Sequence, residues 1–502
     1  MASRAFQLGA VALVAGLVIG PVLAVLWRSG GITALSPADW GALRFTVWQA
    51  ALSAFLSVVL AIAVARALAR RSFPGRGTLI ALMGAPFILP VIVAILGLLS
   101  VFGGNGLLNR VAAPLGLPRF DVYGIHGVIL AHVFFNMPLA VRLILQGWLS
   151  IPSERFRLAA SLDASVWRLL EAPMLRRTCP GAFAVIFVIC LGTFAVALTL
   201  GGGPRATTVE LAIYQAFKFD FDLGKAATLA LIQLALGFSA GLLALRFATI
   251  DGFGAGLDRA IQRWDGTSLS VRLLDTAAIA LAAAFLLVPL ASIALAGLPG
   301  LFQLPPQVWE ATMRSLAVAL GATGLTVAVA LMLLNRAGET AALLGISVSG
   351  LVLGTGYFLL LQPLIRPSAV ALPVTLVVNT LMALPFVLRV LRPAMEVART
   401  DYGRLAASLG LRGWALWRVV YLPRLRRPLG FAAGLTAALS MGDLGVITLF
   451  ANSEGATLPL QIYRLMGSYQ MESAEAAALL LLSISLALFW VFDRGGRMHA
   501  PT

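Results

Sequence analysis

The sequence predicts an all-α polytopic membrane protein of about twelve transmembrane helices, arranged as two parallel six-helix repeats. Three observations predict it: a composition too apolar for water, repeated apolar runs of bilayer length, and an identical hexapeptide in each half. The 502 residues are 60% hydrophobic and only 12% charged, with mean hydropathy +0.93, against about 25% charge in an ordinary soluble domain. No aqueous core hides that much apolar surface, and runs near the ~20 residues that cross a bilayer make lipid the solvent.

Taken in order, the first 27 residues carry Arg4 and then an apolar run over 8–26. The run resembles a secretory signal but is long and lacks a small-x-small cleavage site, so it is expected to stay as the first span. Further spans are expected at about 47–68, 80–102, 123–141, 182–200 and 226–245. Six more follow at about 273–298, 315–334, 343–361, 370–388, 429–450 and 474–492. Backbone groups in hydrocarbon must be satisfied within their own segment, so each run should be a helix. Pro86, Pro90, Pro138 and Pro385 are then expected as kinks between packed neighbours. A β-barrel is excluded, because its strands would alternate apolar and polar residues over ~10 positions.

The net charge of +16 would suggest nucleic acid in a soluble protein. Here the arginines cluster between apolar runs instead of forming one basic face, so no nucleic acid is expected. They read as topology signals and as anchors to anionic membrane lipid. With both termini in the cytoplasm, most basic residues fall inside, notably Arg70, Arg71, Arg76, Arg155, Arg157, Arg176, Arg177 and the cluster from Arg404 to Arg427. That bias sets the orientation, and the chain is expected in a bacterial inner membrane. Cys179 and Cys190 sit in one apolar segment without metal-ligand spacing, and no disulfide or metal role is expected.

The hexapeptide Arg157-Leu158-Ala159-Ala160-Ser161-Leu162 recurs 247 positions later as Arg404-Leu405-Ala406-Ala407-Ser408-Leu409. The same shift pairs Pro138 with Pro385, Arg142 with Arg389 and Trp167 with Trp414. A slightly larger shift pairs Pro173 with Pro423, Arg177 with Arg427 and Tyr214 with Tyr463. The expected division is a first six-helix half over 1–250, a cytoplasmic linker over 251–272 and a second half over 273–502. Because six is even, the copies enter and leave on the same side, as in a parallel repeat.

Between spans four and five each half carries a basic, helix-forming cytoplasmic stretch. Its alanines would let another protein approach closely and its tryptophan would give a large anchor, as in helix-in-groove recognition. The second copy reads Arg404-Leu405-Ala406-Ala407-Ser408-Leu409-Gly410, then nine residues to Val420-Tyr421-Leu422-Pro423. This resembles the EAA loop of binding-protein-dependent ABC importer permeases, with Arg404 at the usual Glu position. The first copy departs further: Asp163 stands at the Gly position, and three fewer residues separate Trp167 from Pro173.

The resemblance implies the type I importer permease fold, in which each loop docks on one ATPase. The docking residues carried over are Arg157, Ala159, Ala160, Asp163 and Trp167 in the first loop, and Arg404, Ala406, Ala407, Gly410, Trp414 and Pro423 in the second. It further implies two ABC ATPase copies and a periplasmic solute-binding protein as partners. No cofactor is expected on this chain, ATP and Mg being used by the ATPase. His132 to Pro138, Leu200 to Gln215 and Gly467 to Glu472 look most similar to the thiamine and thiamine pyrophosphate importer permeases, with ferric-iron importer permeases as the rival branch.

No enzyme site is legible. Gly224-Lys225 lacks the upstream glycine of a phosphate loop and is followed by Ala226, and His126, His132 and His499 show no metal spacing. Ionisable or amide groups inside spans are costly and so are candidates for the solute pathway: His132, Asn136, Asn379 and Asp443. Asp443 could attract a cationic thiazolium, and Tyr214 or Tyr463 could offer it a π face. Each could equally bond a neighbouring helix. Glu210, Asp220, Asp222, Glu454 and Glu472 are expected in external loops, facing a docking partner or solvent. An ion-coupled secondary transporter is the rival from another class. It would need more intramembrane carboxylates than Asp443 and leaves the duplicated loops unexplained.

Overall fold

A computed structural model describes residues 4–28, 34–84, 86, 88–201, 203, 206–247, 268–334, 338, 348–451 and 455–497. Among these the chain is helical throughout, and eleven helices are long and apolar enough to cross a membrane. The first half comprises α1 (Arg4–Arg28), α2 (Pro37–Arg70), α3 (Arg76–Leu82), α4 (Val91–Phe102), α5 (Leu107–Ala112), α6 (Ile125–Leu149), α7 (Ser153–Ser161), α8 (Ala172–Leu191), α9 (Phe194–Leu200), α10 (Val209–Lys218) and α11 (Leu223–Phe247). The second comprises α12 (Leu269–Gly297), α13 (Pro306–Met332), α14 (Gly350–Leu361), α15 (Ala371–Ser408), α16 (Leu422–Met441), α17 (Gly445–Phe450), α18 (Leu458–Gly467) and α19 (Met471–Arg497). The expected ninth span, 343–361, is represented by α14, because 343–347 lie outside the described residues. So do 251–267 of the expected linker, and Glu454.

Three expected spans are broken. Pro86 and Pro90 do not kink the third one; they divide it into α3 and α4, since neither ring supplies an amide to the ladder. The fifth parts into α8 and α9 at Gly192-Thr193, and the eleventh into α16 and α17 at Gly442 to Leu444. By contrast Pro138 in α6 and Pro385 in α15 stay inside continuous helices. The tenth span overshoots its expected end. α15 runs unbroken for 38 residues, about 57 Å, into the loop that carries the second hexapeptide. Its counterpart is cut into α6 and α7 by Pro152, where the second half has Arg399.

The first helix of each half packs on the other half. Val14, Val18 and Val25 of α1 are buried in the core built mainly from second-half helices. Ala282 and Leu286 of α12 are buried in the first-half core of α2, α4 and α6. The two crossings share their chemistry. A Cβ on Gly356 of α14 would overlap the Pro21 carbonyl of α1, and one on Gly97 of α4 would lie 2.6 Å from the Pro289 carbonyl of α12. Glycine lets backbone approach backbone in the membrane, where helix association relies on close packing. The Tyr357 hydroxyl also donates to the Leu17 carbonyl at 2.7 Å, and Arg71 Nε donates to Asp275 of α12 at 2.8 Å.

Two further contacts recur in both halves. The Val209 N–H that opens α10 donates to Thr46 Oγ1 at 2.9 Å, and the Leu458 N–H that opens α18 donates to Ser315 Oγ at 2.8 Å. Each short helix is thus capped by a hydroxyl from the second long helix of its half, satisfying an otherwise orphan amide.

Candidate functional site

The helix breaks converge. Pro86 and Leu89 before α4, Gly192 and Thr193 after α8, and Gly442 and Asp443 after α16 all line one cavity of about 400 Å³, together with Gly350 at the start of α14. Both halves contribute to its wall. Non-helical backbone at membrane depth is tolerated where protein buries it or where it lines a cavity, and at the α8 break two of the freed carbonyls find side-chain donors. Gln49 Nε2 donates to the Cys190 carbonyl at 2.9 Å, and Gln233 Nε2 to the Leu191 carbonyl at 2.9 Å. Thr193 Oγ1 adds a bond to the Cys190 carbonyl at 3.1 Å.

That last bond uses the only proton of the Thr193 hydroxyl, so the oxygen accepts from His132 Nε2, 2.7 Å away. His132 Nδ1 then accepts from Ser53 Oγ at 3.2 Å. Both imidazole nitrogens are engaged. Asn136 Nδ2 donates to the His132 carbonyl (2.8 Å) and to Cys190 Sγ (3.4 Å), and Asn379 Nδ2 donates to Ser440 Oγ (2.9 Å). All four intramembrane candidates line the cavity, and three of them also tie its wall together. Asp443 differs. Its Oδ1 accepts the Gly445 N–H at 3.2 Å, whereas its buried Oδ2 has no hydrogen-bond partner among the described residues.

Glu210 is the residue that sequence reasoning misplaced. Expected in an exposed external loop, it is only 2% exposed and lines the cavity. It sits in the first turn of α10, and the sequence signal was available: Thr208 caps that helix, which turns Glu210 inward beside the buried Val209 and Leu211. Burial raises its carboxyl to about 7, against partial compensation by hydrogen bonds to Ser349 and the Phe194 backbone. Asp220 and Asp222 are exposed as expected, and so is Glu472.

Tyr214 and Tyr463 do not line the cavity. Tyr214 packs edge-on against Phe194, a lining residue, with centroids 5.4 Å apart. Burial raises its phenol above the usual range, the neighbouring Tyr463 raises it further, and Arg464 acts the opposite way.

At the other end of α6 and α15 the two hexapeptide loops share one local design. α7 ends with the Ala164 N–H on the Ala159 carbonyl at 2.8 Å, and α15 with the Leu411 N–H on the Ala406 carbonyl at 2.9 Å. Both are Schellman turns with a left-handed residue at the same place, Asp163 at φ 45° and Gly410 at φ 66°. Ala159 and Ala406 turn inward, while Arg157, Ala160, Arg404 and Ala407 face outward. The outward faces also carry Leu158, Leu162, Leu405 and Leu409, each more than half exposed, an apolar pair per loop that the arginine-led reading overlooked. A π-turn then follows in each loop, Trp167–Glu171 and Trp417–Tyr421. The structural counterpart of Trp167 is accordingly Trp417; Trp414 lies three residues earlier and is 73% exposed. Pro423 is half-buried in the first turn of α16.

No family model matches the chain. Curated relatives do. It is 42% identical to the thiamine transport system permease protein of Escherichia coli over 91% of this chain and 89% of the relative. It is 40% identical to the protein of that name from Brucella abortus, over 97% of this chain and 94% of the relative. The sulfate transport system permease protein of Escherichia coli is 29% identical over 42% of this chain and 79% of its own length. Matched from end to end by relatives of that description, this multi-pass membrane protein belongs to the thiamine transport system permease family.

Proposed function

We propose that the chain is the membrane permease of a binding-protein-dependent ABC importer that carries thiamine, or its pyrophosphate, across the bacterial inner membrane. The observation that carries this reading is the near full-length likeness to thiamine transport permeases. The recurring contacts of the fold support a parallel duplication, with halves near 1–250 and 273–502 and both termini in the cytoplasm. The solute passes through the cavity at the helix breaks, delivered by a periplasmic binding protein. Asp443, with one buried oxygen unpartnered, meets the cationic thiazolium. His132, Asn136 and Asn379 hold the cavity's shape, and Tyr214 with Tyr463 closes its flank.

The chain holds no ATPase site and no cofactor of its own. ATP and Mg are bound by two ABC ATPase copies, one on each cytoplasmic loop, where Arg157, Ala160, Trp167, Arg404, Ala407 and Trp414 present the docking faces. Gly410 and Asp163 shape the turns behind them, while Ala159, Ala406 and Pro423 fix the loops to the helices. Binding of the loaded external protein and closure of the ATPases must favour the same global state, and linkage makes that influence reciprocal. The test is uptake of labelled thiamine into vesicles carrying the permease, its ATPase and the external binding protein. Uptake that needs ATP and all three components is expected. Uptake driven by a proton or sodium gradient without the ATPase would refute the reading.

A further inference from the structure

Glu171 closes the π-turn of the first cytoplasmic loop with no solvent exposure at all. A carboxylate taken out of water is tolerated only where charge and hydrogen bonds replace its hydration. Arg66 of α2 supplies the charge, with Nη2 2.6 Å from Oε2, and Trp148 of α6 supplies a hydrogen bond from Nε1 to Oε1 at 3.1 Å. The same Arg66 guanidinium lies over the ring of Trp167, 5.2 Å from its centroid. Trp167 is 45% exposed on the cytoplasmic side. One buried carboxylate therefore joins α2, α6 and the loop's exposed aromatic.

The same two helices meet again at the cavity, at the middle of α2 and near the start of α6. Ser53 of α2 bonds His132 of α6, which lines it. Ser53 and Arg66 are about 20 Å apart along α2, and His132 and Trp148 about 24 Å along α6, so two parallel helices tied at both levels connect cavity and loop. The second loop is fastened otherwise. Tyr421 occupies the place of Glu171 and packs edge-on against Trp417, centroids 5.5 Å apart, while Arg424 lies over Tyr402 at 4.4 Å. These fastenings are aromatic, and the residue at the closing position carries no charge.

We infer that Glu171 is a positioning residue that clamps the first cytoplasmic loop to the α2 and α6 pair, transmitting the state of the cavity to that loop's docking face. The inference rests on the reading above, in which the loop docks an ATPase. It is tested in the full transporter, permease co-expressed with its ATPase, reconstituted in vesicles and supplied with thiamine-loaded external binding protein. The readout is the ratio of stimulated to unstimulated ATP hydrolysis per copurified ATPase, so that altered docking is normalised out.

Glu171→Gln and Arg66→Gln are each expected to lower the ratio at least fivefold, the low end of a typical coupling. The double variant should fall by less than the product of the two single defects, because the ion pair they share is lost only once, Arg66→Gln also removing the contact with the Trp167 ring. Trp148→Phe keeps the packing and loses one hydrogen bond, and it should lower the ratio partway. A ratio within twofold of wild type in Glu171→Gln, or defects that multiply in the double variant, overturns the clamp. If Glu171→Gln fails to fold, an unchanged ratio in Trp148→Phe overturns it. A wild-type preparation that retains no ATPase sinks the permease reading itself, which separates the two failures.

Discussion

Gly410→Ala is expected to loosen the second hexapeptide loop through backbone conformation alone. A Cβ built at Gly410 meets nothing within 4 Å, so no packing term enters. The backbone there has φ 66°, a left-handed conformation that costs an L-residue about 1–2 kcal/mol. Alanine's smaller conformational freedom in the opened loop returns about 0.4–1 kcal/mol. The net loss is about 1 kcal/mol, or roughly a fivefold rise in the local opening constant. The first loop should respond with the opposite sign. Asp163 already sits at φ 45°, and aspartate tolerates that region better than most residues, so Asp163→Gly should gain about 0.5 kcal/mol, roughly twofold. Hydrogen exchange read by mass spectrometry checks both. The segment containing the Leu411 N–H should exchange about fivefold faster in Gly410→Ala, and that containing the Ala164 N–H about twofold slower in Asp163→Gly. No change in either segment, or a change of the same sign in both, would refute the assignment of matched left-handed turns.

Gly97→Ala places a methyl 2.6 Å from the Pro289 carbonyl and should cost about 1–3 kcal/mol by overpacking. A lower thermal midpoint is expected, with Gly104→Ala, where nothing lies within 4 Å, as the unaffected control. Ser315→Ala removes the acceptor of the Leu458 N–H, leaving a buried donor unpaired at about 1–3 kcal/mol; a midpoint equal to wild type would show that the α18 cap is immaterial. Glu210 gives a pH effect. Its folded carboxyl stands at about 7 against an ordinary 4.5, so its contribution is fully present below about pH 4.5 and lost as pH rises through about 7. The contribution lost is about 3 kcal/mol. Thermal midpoints measured from pH 4.5 to 8 should fall less steeply in Glu210→Gln than in wild type, and parallel profiles would count against the burial of a carboxyl at that place.

What the sequence made legible is what depends on local composition. Long apolar runs specify membrane helices because the backbone has no other way to satisfy itself in lipid. The hexapeptide located both left-handed turns, and Asp163 stood in register with Gly410 before any coordinates. The break at Pro86 and Pro90 was misread as a kink, and those at Gly192-Thr193 and Gly442 to Leu444 went unread, because a helix break depends on what replaces the lost bonds. Gln49 and Gln233, which hold the carbonyls freed at Cys190 and Leu191, lie 141 and 42 residues away in the chain. Glu210 was misread for a related reason: its neighbours in sequence look like a polar loop, while its burial comes from α9 and α14 in space. The pairing of Trp167 with Trp414 failed by three residues, because a π-turn and not a constant offset sets the correspondence.

The crossing of α1 onto the second half has a consequence for biosynthesis. The Leu17 carbonyl and the Tyr357 hydroxyl are 340 residues apart, so at about 5–20 residues per second roughly 20–70 s separate the emergence of donor and acceptor from the ribosome. Throughout that interval the face of α1 that carries Val14, Val18 and Val25 lacks its final neighbours, and Pro21 waits for Gly356. Synthesis halted anywhere before α14 therefore leaves an early helix without the neighbours that bury this face.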